Sequence, residues 1–307
     1  MFRHAYLIIA NKNFEQLKLL VSLLDDYRND IYLMIDKKSK IVKEDRIRTV
    51  NSNIYYLDPI NIYWGEYSGI QAELNLFRAA SKKKYAYYHL ISGQDLPLAS
   101  QNVIHDFFKK NYGNEFVAFQ HSSIDEIKDK VKPHLLRKYY NDGIRNKNSS
   151  LNIFLRLLVS IYRHLESIFL KKLFNNINFS NMKVGPNWVS ITHDTVMLIL
   201  NNESRIFKMF GKGKVIDEMF IQTILNENHY FMKKVSDSRE YKYSPNSPRS
   251  NLRYVVKKFD DPHPKIFSKS DFKELMHAKK EGYLFARKFD IKKDKEIIHI
   301  ICDNIQE

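Results

Sequence analysis

The first 36 residues leave this chain little choice of fold. HAYLIIA, residues 4–10, is an apolar run of strand length, and residues 13–24 space their apolar side chains as an amphipathic helix does. IYLMID, residues 31–36, is a second strand ending on an acid. Strand, helix and strand in so short a span make a βαβ unit, whose ligands sit at the carboxyl ends of the parallel strands. Asn11 and Asp36 fall at those ends. The alternation continues with a strand in NIYYLDP (53–59), a turn in YWGEYSG, a helix over residues 70–80 and a strand in YAYYHLIS that GQDLPL breaks. EFVAFQ (115–120) is a further candidate strand. The fold class that follows is α/β: a Rossmann-like, mainly parallel central sheet flanked by helices.

No internal repeat or long low-complexity linker divides the 307 residues, so they read as one domain over residues 1–290 with a polar C-terminal tail, 291–307. Cys302 is the single cysteine, which excludes an intrachain disulfide and a cysteine zinc cluster and fits a reducing compartment, by default the cytoplasm. No segment offers the roughly 18 apolar residues of a membrane span, and the amino-terminal stretch lacks a cleavage pattern. A soluble or peripheral protein is expected.

Fifty Lys and Arg against 35 Asp and Glu, formally +15, favour an anionic partner: nucleic acid, an anionic lipid surface, a nucleotide or an acidic glycan. An AT-rich genome, which enriches Lys, Asn and Ile, accounts for the same composition. Residues 151–174, LNIFLRLLVSIYRHLESIFLKKLF, have the pattern of a long basic amphipathic helix. Packing within the fold explains that pattern; so does peripheral contact with an anionic membrane on its cytoplasmic face.

Several chemistries are excluded. A Walker A loop, a GxGxxG fingerprint and a GxSxG elbow are all missing, and 9 glycines leave little from which to build a phosphate cradle, so any phosphate must be held by side chains. The acid in MIDKKSK stands alone where a metal-dependent nucleotide-sugar transferase would carry Asp-x-Asp, and the 11 histidines have no ligand spacing, so no divalent metal is expected. Arg287 and Lys288 in LFARKFD, and Lys265 in HPKIF, interrupt apolar runs; each suits either a solvated strand face or a leaving diphosphate. Asp217 and Glu218 pose a similar question ahead of the apolar run MFIQTIL. Asp217 reads as a helix N-cap, with Glu218 beside the positive end of the helix dipole.

Taken together, HAYLIIANKNFEQL, YLMIDKKS, YWGEYSGIQAELNLFRAA, YYHLISGQDLPL, GPNWVSIT, IDEMFIQTIL, HPKIF and LFARKFD resemble, in family order over nearly the whole chain, the core-2/I-branching β-1,6-N-acetylglucosaminyltransferases and the related peptide-O-xylosyltransferases. The resemblance implies a GT-A-like fold, a UDP-sugar donor, inversion at the anomeric carbon and no metal cofactor. It also implies roles. Glu218 becomes the general base that takes the acceptor hydroxyl proton, while Lys288 with Arg287, and Lys265, hold the diphosphate. Ile9, Asn11 and Asp36, with Trp64 from the next loop, surround the uridine. Gln94 and Asp95 lie where donor and acceptor meet, and Asn187 and Trp188 of GPNWVSIT line the substrate site. An inverting transfer needs this division between a base and a charge-stabilising cation.

Some residues depart from the family pattern. Asn11 and Met34 stand where histidines are frequent, and Val256 and Lys257 where an acid and a tryptophan often stand. Losing an aromatic platform removes a stacking surface, whereas Lys257 suits an acidic acceptor. Without the anchor and disulfides of animal members, the chain resembles a bacterial, cytoplasmic one that transfers N-acetylglucosamine to a capsular, lipopolysaccharide or lipid-linked glycan. UDP-xylose, UDP-glucose and UDP-galactose are alternative donors. A basic nucleic-acid-binding protein is the alternative from another class, but the basic residues are spread along the chain and not gathered with aromatics, so no nucleic acid is expected.

Overall fold

The computed structural model describes residues 2–39, 46–132, 161, 178–242, 249–257 and 263–306. Strands β1 (His4–Ala10), β2 (Asn29–Ile35), β3 (Asn53–Tyr56) and β4 (Tyr87–Ser92) are parallel to their neighbours, and β7 (Ser190–Ile191) closes the edge antiparallel, in the order β3-β2-β1-β4-β7. The α/β class and the mainly parallel sheet are as expected. Because successive side chains of a strand face opposite ways, β1 divides its residues between two cores. Tyr6, Ile8 and Ala10 pack with Leu17, Leu20 and Leu24 of the helix Phe14–Leu24; Ala5 and Leu7 pack with Ile70, Leu74 and Phe77 of the helix Tyr67–Ser81. A strand apolar on both faces is one buried on both faces.

A second sheet carries the basic residues. β5 (Asp95–Pro97), β9 (Arg253–Val255) and β10 (Phe285–Arg287) lie in the order β5-β10-β9, with Arg287 opposite Asp95 across the antiparallel pair. Arg253 joins this sheet to the larger one. Wholly buried, it donates to the Val189 carbonyl (2.7 Å), the Leu90 carbonyl (3.3 Å) and the Ser190 hydroxyl (2.8 Å).

The structure corrects three expectations. Residues 291–307 are not a polar tail: Lys295–Gln306 is a helix whose Ile297, Ile298, Ile301 and Ile305 are buried in the β1 core, because those isoleucines recur on one helical face. EFVAFQ is not one continuous strand. Glu115 bridges to Val235 and Phe116 to Ser190, and only Phe119–Gln120, β6, pairs as a strand, with β8 (Glu240–Tyr241). Asp217 is no N-cap either: the helix begins at Phe220, with Met219 at the cap position, and the Asp217 side chain is turned inward toward Gly69. The helix expected over 151–174 lies outside the described residues, Ile161 excepted.

Arg253→Met removes the donors from carbonyls that stay buried, each worth about 1–3 kcal/mol when orphaned. We expect unfolding in urea to show a loss of at least about 3 kcal/mol. A loss below about 0.5 kcal/mol would mean that the joint between the sheets does not depend on this side chain.

Candidate active site

Chain segments leaving the carboxyl ends of β1 and β4, the loop 185–188, the turn 217–219 and the end of β10 enclose a cleft of about 380 Å³. Its position outside the carboxyl edge of a parallel sheet is where such folds bind ligands. Two kinds of charge meet there.

The basic wall is built by Arg287 and Lys288. Arg287 donates to the Asp95 carboxylate (2.7 Å) and to the Ser92 hydroxyl, and its guanidinium stacks over the Trp188 ring at 4.5 Å. Asp95 is itself fully buried and accepts the Ser92 N–H (2.9 Å), so the arginine is aimed by a fixed anion beneath it and a ring beside it. Lys288 has no carboxylate within ion-pair distance among the described residues; burial, then the charges of Arg287 and Lys12, lower its pKa. A pair of cations held together with one counter-ion between them is a site for an anion.

The acidic wall is the turn Asp217–Met219. Its backbone is pinned where the Gly185 N–H donates to the Glu218 carbonyl at 2.8 Å. Only glycine allows this approach, because a Cβ at 185 would stand 2.0 Å from the Ala118 carbonyl oxygen. The Glu218 side chain, about one-third exposed, faces the cleft with Lys130 at 3.7 Å. Asp217, half-buried, lines the cleft beside it with Oδ1 turned away from water. Burial, and then the Glu218 charge, raise the Asp217 pKa to about 6, and Oδ1 has no hydrogen-bond partner among the described residues. Tyr241, also in the cleft, is pushed up to about 12 by burial and then by Glu218.

The pattern for the core-2/I-branching enzyme family matches residues 4–275. The chain belongs to this family. Among solved structures it is similar to Staphylococcus aureus TarS 1-349, at 14% identity with a TM-score of 0.27, over 39% of this chain and 36% of that one. It is also similar to mouse xyloside xylosyltransferase 1 in its apo form, at 10% identity with a TM-score of 0.34, over 76% of this chain and 84% of that one. The chain thus spans about a third of the TarS chain it matches. No curated protein matches.

The cleft gathers Asn11, Trp64, Gln94, Asn187, Trp188, Asp217, Glu218, Arg287 and Lys288 from the residues the sequence singled out. Others stand back from it. Ile9 is half-buried in β1, and Asp36 is a buried brace that accepts the Ile62 N–H (3.3 Å) and pairs with Lys38 (2.8 Å), steadying the loop that carries Trp64. Asp95 acts beneath the surface, through Arg287. Lys265 lines an adjoining hollow of about 660 Å³ that Lys288 shares, with its ammonium already bound by Asp271 (2.7 Å) and Glu274 (3.1 Å). Among the described residues no three His, Cys, Asp or Glu side chains converge to hold a metal ion. No described helix is long and apolar enough to cross a membrane.

Gln120, Tyr241 and Glu73 escaped the sequence reading. The first two reach the cleft from the β6–β8 pair, whose short strands carry no periodic signal. Glu73 carried one: it is an acid on the apolar face of the helix Tyr67–Ser81, between Ile70 and Leu74.

Folding raises the Asp217 pKa from 3.8 to about 6, so the buried charge is penalised. Stability from this group is fully present below pH 4 and is lost as the pH rises through about 6. Asp217→Asn should therefore stabilise the protein at pH 8 by on the order of 2–3 kcal/mol and change little at pH 4. Equal effects at both pH values in thermal melts would refute the buried charge.

Proposed function

We propose that the protein is an inverting, metal-independent glycosyltransferase that moves a sugar from a UDP-sugar, first of all UDP-N-acetylglucosamine, to a hydroxyl of a bacterial surface polysaccharide or lipopolysaccharide precursor. The reading rests on one observation: Glu218 and the Arg287–Lys288 pair share a single cleft. Glu218 takes the proton of the acceptor hydroxyl while its oxygen attacks the anomeric carbon from the side opposite the leaving group. The bond to UDP breaks, and the negative charge that grows on the diphosphate is met by Arg287 and Lys288. Arg287, already oriented by Asp95 and Trp188, needs no reorganisation at that moment, which is the condition for strong electrostatic stabilisation. The two cations supply the charge a divalent ion would otherwise bring. Trp64 and Trp188 offer aromatic faces for a base or a sugar ring, and Lys257 in the same cleft suits an acidic acceptor. The acceptor is proposed to be met on the cytoplasmic side of the membrane.

UDP should raise the melting temperature in excess EDTA, and stabilisation that requires added metal would overturn the metal-independent reading. Glu218→Gln should bind UDP as the wild type does and lose about 10²–10⁴-fold in transfer rate, the range for a general base. Retention of most activity would assign the base elsewhere. Lys288→Ala should weaken UDP binding by about tenfold or more in calorimetry, since a charge-assisted bond to phosphate is lost; unchanged affinity would make Lys288 a surface residue.

A further inference from the structure

The proposed mechanism makes no use of Glu73, the most conspicuous charge-bearing group in the apolar core. It is 1% exposed on the helix Tyr67–Ser81, among the apolar side chains that pack against the sheet. Taking a carboxyl group out of water costs several kcal/mol unless its partners return that energy. Here the return is incomplete: Oε1 accepts the Asn187 side-chain N–H at 2.7 Å, and Oε2 has no partner among the described residues. Leucine, which would meet the apolar neighbours equally well, serves stability better at this position.

The surroundings say what the acid does. Gly69 and Glu73, four residues apart, share one face of their helix, and that face meets Asp217: a Cβ on Gly69 would stand 3.8 Å from the Asp217 Cβ. Glu73 therefore lies directly behind the acidic wall. The loop 185–188 is fastened at three successive residues, by the Gly185 N–H to Glu218, by Gln222 Nε2 to the Pro186 carbonyl (2.9 Å), and by Asn187 to Glu73. The first two fix backbone. Only the third fixes a side chain that lines the cleft, and by holding Nδ2 it turns the carboxamide oxygen of Asn187 outward. Burial, and then the Asp217 charge, push the Glu73 pKa well up.

We propose that Glu73 is a positioning residue for sugar recognition: it anchors the Asn187 carboxamide so that its oxygen meets the cleft as a fixed acceptor for a hydroxyl or amide N–H of the transferred sugar. This rests on the cleft being the sugar-transfer site. Glutamine keeps an acceptor oxygen for the Asn187 N–H and leucine does not, and a residue that acts through Asn187 loses its effect when Asn187 is gone.

The test is a double-mutant cycle with UDP-N-acetylglucosamine as the probe, following UDP release, with UDP binding and melting temperature measured beside it. Glu73→Leu should raise KM for the UDP-sugar about tenfold while UDP affinity stays within about twofold, because UDP lacks the transferred sugar. Glu73→Gln should stay within about threefold of wild type in KM, and Glu73→Leu with Asn187→Ala should be no worse than Asn187→Ala alone. If the leucine variant does not fold, Glu73→Asp, which withdraws the carboxyl by one methylene, takes its place with the same expectation. Additive losses in an active enzyme, or a fall in UDP affinity equal to the change in KM, would overturn the role of Glu73 and leave the proposed function standing. A wild type that neither binds UDP nor releases it from any UDP-sugar overturns both.

Discussion

A guanidinium with no access to water holds the five-stranded and three-stranded sheets of this protein together. Arg253 donates into the carbonyls of Val189 and Leu90 and to the Ser190 hydroxyl, at the point where β4 and β7 pass under β9, and the Phe285 ring covers it at 4.9 Å. Burial lowers its pKa to about 9, while the Asp95 charge works against that. A buried cation is costly when alone and tolerable when its donors are aimed at dipoles, as both terminal nitrogens of Arg253 are. Here the acceptors belong to one sheet and the arginine to the other, so neither can move without orphaning polar groups. β10 lies beside β9 and ends in Arg287, and the cations of the cleft are thereby registered against the carboxyl ends of β1 and β4.

The cleft repeats the same principle with the charges exchanged. Asp95, wholly buried, receives Arg287, and Trp188 stacks on the other partner, so the arginine loses little freedom when an anion arrives. Lys265 shows the contrast: a lysine a few residues from the cleft is already bound by Asp271 and Glu274 and has less charge to give. On the acidic wall, neighbours in sequence are divided by environment. Asp217 is turned into the core, where its pKa rises to about 6, and Glu218 faces the opening with Lys130 nearby. Two carboxyl groups in unlike surroundings take unlike roles.

Much of the framework was legible in the chain because its signals are local. HAYLIIA and YYHLIS, apolar on both faces, announced central strands, and the helix Phe14–Leu24 announced the crossover between β1 and β2. The errors have local causes as well. In residues 291–307 the isoleucine pairs follow the charged run KKDKE, so average polarity concealed a helical face that the core demands. Asp217 resembles a cap in every respect visible in one dimension; in space its side chain lies beside Gly69, some 150 residues away.

By itself, the sequence determined the α/β alternation, the resemblance to a glycosyltransferase family and the residue types that a metal-free transfer requires, since strand periodicity and collinear motifs are properties of order along the chain. Only the tertiary structure decided which of those residues share a cleft, which carboxylate oxygen is turned away from water, and that Asp36, Asp95 and Lys265 stand behind or beside the opening and not in it. The physical reason is that desolvation and charge pairing depend on distance in space: Asp95 reaches Arg287 across 192 residues, and Glu73 reaches Asn187 across 114.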